Sequence, residues 1–133
     1  MKVYLPNSWH LLPLRQVVDK NRPITYGIVQ AGPHIDSGIP YIRVSDMTKG
    51  RLTLDGMLRT SKEIARKYKR STVLTNDIVF ALRGVAGAVI KVPTEMSGAN
   101  LTQGTARIAP SENVTSDFLI YAISSSLVLG FNS

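Results

Sequence analysis

Asp77-Ile78-Val79-Phe80-Ala81-Leu82, joined by Arg83-Gly84-Val85-Ala86-Gly87 to Ala88-Val89-Ile90-Lys91-Val92, is the stretch that decides the fold. Two short apolar runs rich in β-branched residues flank a connection carrying glycine at two of its five positions. Runs of this length are strands more readily than helices, and a short glycine-bearing link between them is that of a β-hairpin. Working outward, Thr105-Ala106-Arg107-Ile108-Ala109 reads as a further strand stopped by Pro110, and Ser116 to about Leu129 as a helix, with Phe118, Leu119, Ala122, Ile123 and Leu127 at helical spacing. Toward the N-terminus, Thr60-Ser61-Lys62-Glu63 has the spacing of a capping box, with Thr60 capping and Glu63 reaching back. It predicts a helix to about Tyr68 with Ile64, Ala65 and Tyr68 inward. Tyr41-Ile42-Arg43-Val44 alternates as a half-buried strand, which points Tyr41 and Arg43 to one face. Thr25 to Val29 reads as a strand interrupted by Gly27, a residue that marks a bulge or a close backbone approach there. Leu11 to Asp19 reads as a short helix packed by Trp9, with Leu14, Val17 and Val18 apolar. The fold class is α+β: a mostly antiparallel sheet with a few short helices.

At 133 residues the chain suffices for one domain, 1–133, and shows no linker or internal repeat. Its 44% hydrophobic content is that of a globular protein, and no segment approaches the ~20 apolar residues of a membrane helix. The start, Met1-Lys2-Val3-Tyr4-Leu5-Pro6, lacks an apolar run of signal-peptide length, and there is no cysteine; both fit a cytoplasmic protein. The C-terminal Leu127-Val128-Leu129-Gly130-Phe131 is apolar for a free end, an expectation of further chain or a covering partner. Charge carries the most information. Sixteen Lys and Arg against nine Asp and Glu give +7, an excess that attracts polyanions, of which nucleic acid is the commonest. A membrane surface is disfavoured because no lipidation signal is present.

Three stretches carry candidate binding residues. Arg59, Lys62, Arg66, Lys67, Lys69 and Arg70 form the densest charge, against the single acid Glu63. On one continuous helix Lys62, Arg66, Lys69 and Arg70 share a face and can follow phosphates; an ordinary solvated face would carry acids at i±4, and those are missing. Arg83 sits among hairpin glycines, where a side chain can reach a groove and pair with guanine, although an exposed arginine in a plain turn has the same look. In Asn100-Leu101-Thr102-Gln103-Gly104-Thr105-Ala106-Arg107, Gln103 and Thr105 have base-reading chemistry, yet such residues also simply make turns. Tyr26 and Arg43 complete the candidates, with a core role the alternative for the tyrosines. Catalysis finds no support. His10 and His34 lack metal-site spacing, and no GxSxG, P-loop, GxGxxG, methyltransferase or PD…(D/E)xK pattern occurs.

In order, these segments resemble the target recognition domain of the specificity subunit of type I restriction-modification enzymes. Trp9 with Leu12-Pro13-Leu14-Arg15-Gln16-Val17, then Ile24 to Gln30, resembles its opening; Pro40 to Met47 is similar to a P-x-I-R-x-x-D segment. Asn76 to Gly87 is similar to G-D-I-L-x-x-R-G-x-x-G, with Asn76 in place of the usual glycine. Asn100 to Ile108 resembles N-x-x-x-x-x-x-R-I, and Phe118 to Ser125 the helix that follows. The resemblance implies a strongly twisted sheet and a non-catalytic reader of one half of a bipartite double-stranded DNA site. It also implies partner methyltransferase subunits and, through them, endonuclease subunits. Those use S-adenosylmethionine and ATP, and this chain binds neither. The long spacer helices of the family are absent, so the chain has the look of an excised or truncated single domain. In the division of labour expected, Arg59 to Arg70 anchors phosphates while Arg83 and the Gln103–Thr105 loop read base edges. The alternatives are an RNA-binding module, from the likeness of Arg83 to Ile90 to the GxxG loop of KH domains, and a protein-interaction module without nucleic-acid binding.

Overall fold

The computed structural model describes residues 2–3, 12–13, 18–48, 52–82 and 88–121. Its centre is the hairpin expected from the sequence: β6 (Ile78–Ala81) and β7 (Val89–Lys91) pair antiparallel, with Val79 opposite Ile90. The Ala81 amide donates to the Ala88 carbonyl at 3.0 Å and carries the pairing outward. The connection Arg83 to Gly87 lies outside the described residues. On its other edge β6 pairs with β9 (Thr105–Ile108), and β9 with β3 (Thr25–Tyr26), giving an antiparallel sheet in the order β3-β9-β6-β7.

A second sheet sets β4 (Ile39–Ile42) between β5 (Arg59–Thr60) and β8 (Asn100–Leu101). Its β4–β8 pair is parallel, unlike the other strand pairs among the described residues. A third pair joins β1 (Lys2–Val3) to β2 (Leu12–Pro13). Two helices are α1 (Val44–Met47) and α2 (Lys62–Lys67), and residues 116–121 are also helical. Among the described residues no helix is long and apolar enough to cross a membrane.

The unbroken apolar run of β6 follows from burial on both faces. Val79 and Ala81 join a core with Ile42, Met47, Val92 and Leu101, while Ile78 and Phe80 pack with Val18, Ile108 and Leu119. A strand with one wet face would have alternated.

Several expectations are corrected. Leu11 to Asp19 is no helix where it is described: Leu12–Pro13 is a strand and Val18 bridges Pro110. Proline removes a helical donor and pushes the residue before it to extended backbone, so Pro13 overrides the apolar spacing; Trp9 lies outside the described residues. The helix cap is Ser61, not Thr60. The Ser61 hydroxyl accepts from the Ile64 amide at 3.1 Å, whereas Thr60 is buried in β5 and donates to the Ala31 carbonyl at 2.7 Å. The shift of one residue takes Glu63 out of capping-box register. Strand β4 stops at Ile42, and Arg43 caps α1 with its amide donating to the Asp46 carboxylate at 2.9 Å. Thr25 to Val29 is strand only as far as Tyr26; Ile28 then forms an isolated parallel bridge to Thr102.

Candidate nucleic-acid interface

Four segments far apart in sequence meet at one end of the β3-β9-β6-β7 sheet. Register puts Tyr26 opposite Ala106, so the turn entering β9 lies beside the end of β3. The Leu82 amide donates to the Gly104 carbonyl at 2.8 Å, which brings the root of the hairpin connection to the same turn. Gly27 is what permits the approach: a Cβ there would stand 2.1 Å from the Leu101 carbonyl carbon and oxygen. Across from these, the single-turn 3-10 helix Lys69–Ser71 supplies Arg70.

The result is an open hollow of about 720 Å³ lined by Tyr26, Val29, Tyr68, Arg70, Leu82 and Gln103, among others. A second hollow of about 580 Å³ shares Ile24, Thr25 and Arg70 with it and adds Asn21, Arg22 and Lys69. The two run together as a groove, and no carboxylate lines it among the described residues. Ile24, Tyr26 and Leu82 are 40%, 60% and 43% exposed, so its floor is apolar and aromatic while its rim is cationic.

Arg107 holds this groove together. It lies in β9, 3% exposed, and one of its Nη atoms donates to the Arg70 and Thr72 carbonyls at 2.6 and 2.8 Å, the other to Pro23 at 2.8 Å. One guanidinium thereby ties the segment entering β3 to the segment bearing Arg70. Burial pushes its pKa below the usual arginine range, nearby Arg22 adds to this, and Asp77 and Asp19 oppose it. Its buried Nε has no partner among the described residues. Beside it Arg22 forms a two-pronged ion pair with Asp77, whose carboxylate also accepts from the Leu74 amide at 2.8 Å.

The sequence candidates fall into distinct groups. Tyr26, Gln103, Lys69 and Arg70 come together at the groove. Lys62, Arg66 and Lys67 are exposed on α2 with no ion pair among the described residues, but the helix ends at Lys67 and Tyr68 leaves helical geometry, so the single face expected to run through Arg70 is broken. Arg59 donates to the Gly38 carbonyl at 3.2 Å. Arg43 is forked onto Asp46 at 3.1 Å through both Nε and Nη2, and that hydrogen bond, helped by the Asp46 charge and opposed by burial, raises its pKa. It does not share a strand face with Tyr41, which is buried. Thr105 is fully buried, its hydroxyl donating to the Thr102 carbonyl at 3.0 Å, and so presents nothing to a base edge. Arg83 lies outside the described residues, directly after groove-lining Leu82. His34 precedes the turn closed by the Gly38 amide on the Ile35 carbonyl, its ring lying between Asp36 and the Arg59 amide, and among the described residues no group of three or more His, Cys, Asp or Glu could hold a metal ion.

Arg22 and Arg107 were missed as determinants of the site. The available signal was a lone arginine inside the apolar Ala106-Arg107-Ile108, since a cation in a buried strand must find fixed partners. Asn100, polar and in the candidate loop, is likewise structural: it is 1% exposed, its Nδ2 donates to the Tyr68 carbonyl at 3.0 Å and its Oδ1 accepts from Ser71.

Fold and groove together define a basic α+β domain, built on a four-stranded and a three-stranded sheet, with a cation-rimmed hollow at one end that no carboxylate lines among the described residues. The particular family follows from comparison. No family profile matches the chain. The Escherichia coli type I restriction enzyme EcoBI specificity subunit is 34% identical over 128 residues, which is 96% of this chain and 27% of that protein. The HsdS subunit from Thermoanaerobacter tengcongensis superposes with a TM-score of 0.66 at 15% identity, covering 97% of this chain and 30% of that one. A chain from a structure addressing complex assembly and conformational transition of the type I R-M system gives 0.64 at 14% identity, covering 93% and 30%. By sequence the chain matches one part of a type I restriction-modification specificity subunit, and its fold is that of part of the HsdS chain. It spans about a quarter of the length of the curated relative it matches.

Proposed function

We propose that this domain binds double-stranded DNA and reads one half of a bipartite target as part of a type I restriction-modification complex. The observation that carries the reading is the groove: exposed Tyr26 and Gln103 on its floor, Lys69 and Arg70 on its rim, and no carboxylate among its described lining. Cations at the rim neutralise phosphates and set register, while the floor meets base edges. Lys62, Arg66 and Lys67 extend the positive field along α2. The domain itself carries out no reaction; methylation and cleavage belong to methyltransferase and endonuclease subunits, which use S-adenosylmethionine and ATP, in the cytoplasm. The RNA-binding alternative loses its main support, because the glycine-bearing connection is flanked by strands β6 and β7 where a KH loop is flanked by helices.

Selection from a randomised duplex library at two salt concentrations tests the proposal. A short enriched half-site, bound more weakly at higher salt, is the expected result. Binding without enrichment, or none, refutes it. Tight, salt-independent capture of a protein in place of DNA would favour the interaction-module reading.

A further inference from the structure

The amide of Gln103 stands out in the groove because the backbone of its turn is tied down while the amide has no partner among the described residues. Its backbone N–H donates to the Ile28 carbonyl at 3.1 Å. Thr102 before it donates to the Ile42 carbonyl at 3.1 Å, and Thr105 after it closes the turn onto the Thr102 carbonyl at 3.1 Å. Gly104 in the same turn accepts from Leu82, and a Cβ there would meet Val44 at 3.3 Å. The turn is therefore fixed against three other segments. The side chain it carries is exposed, and its amide has no hydrogen-bond partner among the described residues.

A carboxamide offers one acceptor and a donor side by side in one plane. In the major groove that pattern matches the N6 donor and N7 acceptor of adenine. Guanine presents two acceptors, so one amide group would be left unpaired on desolvation, and cytosine presents a donor alone. The thymine opposite an adenine carries a methyl group that gains by leaving water, and the surfaces beside Gln103 are the exposed carbons of Leu82, Tyr26 and Ile24. We infer that Gln103 reads the adenine of an A·T pair in the half-site, with the thymine methyl packed against Leu82 and Tyr26. The inference rests on the half-site reading above and adds the identity of one base pair and the residue that sets it.

Library selection with the full chain and two variants is the test. The unaltered chain should enrich a half-site containing an A·T pair. Gln103→Ala should lose preference at that pair alone, by roughly 5- to 150-fold, and Gln103→Arg should turn it toward G·C. Replacing the thymine of that pair by uracil should weaken binding by the unaltered chain and leave other positions unchanged. If no sequence is enriched by the unaltered chain, the half-site reading fails and this inference with it. If a half-site is enriched but Gln103→Ala changes no position, or changes one that is not A·T, the inference alone is overturned. Because the side chain is exposed and has no partner among the described residues, matching thermal melts for the three proteins should accompany either result.

Discussion

Replacing Gly27 by alanine should destabilise the protein by about 2–4 kcal/mol, chiefly through two backbone hydrogen bonds. The new Cβ would stand 2.1 Å from the carbonyl carbon and oxygen of Leu101. Carbon contacts settle near ~3.5–4 Å, so one backbone must retreat by more than ~1 Å. The bonds in its way are those from the Ile28 amide to Leu101 at 2.6 Å and from the Gln103 amide to Ile28 at 3.1 Å. Ile28 is 1% exposed, so its freed groups find little water. Each unsatisfied group costs about 1–3 kcal/mol, and the stiffer unfolded chain returns about 0.4–1 kcal/mol. The loss would take a large share of the ~5–15 kcal/mol typical of a domain. Urea unfolding should show a lower midpoint with an unchanged slope. Gly56→Ala is the control, because its Cβ meets open space and only the φ of +78° opposes it, at about 1–2 kcal/mol. A Gly27→Ala protein within about 0.5 kcal/mol of the parent would refute the close-approach argument.

Arg107→Met should cost about 3 kcal/mol or more in urea unfolding, since the carbonyls of Pro23, Arg70 and Thr72 lose a charged donor together. Arg107→Lys should recover only part of this, because an ammonium cannot fork to three acceptors as a guanidinium does; equal stability of all three proteins would contradict it. Asn76 has a φ of +72°, so Asn76→Gly should leave thermal stability unchanged or raised, while Asn76→Val should lower it by about 1–2 kcal/mol. Removing both Lys69 and Arg70 should flatten the dependence of log affinity on log salt by about 2 and weaken all DNA sequences alike. Arg43→Ala and Arg59→Ala, whose guanidinium groups are held by Asp46 and Gly38, should leave that slope in place.

The hairpin was legible because length, β-branching and glycine placement all favoured the same element, and β6 and β7 agree with it. Gly27 was legible as a close approach because only glycine tolerates the contact made there. Asn76 is informative in retrospect: a position held by glycine in the resembled motif has the left-handed backbone that asparagine tolerates. What local pattern could not supply was the competition between neighbours. Thr60 and Ser61 are equally good caps, and tertiary pairing of Thr60 with Ala31 decided between them. Thr105 looked like a loop residue, but it opens a strand whose four residues are all buried. The groove was least legible, because it is assembled from residues around Ile24, Arg70, Leu82 and Gln103, and the break at Tyr68 that delivers Arg70 has no marker in sequence. Charge density pointed to a polyanion as the expected partner, yet two of the five arginines singled out for it, Arg43 and Arg59, are engaged in holding the fold.

The most direct test uses the absence of cysteine. Single-cysteine variants at Gln103, at Arg70 and at Glu95, which lines a separate hollow, can each be offered a duplex with a thiol tethered along its enriched half-site. Disulfide capture should occur at positions 103 and 70 and fail at 95. Capture at 95 with none at 103 or 70 would place the DNA on another surface and contradict the account.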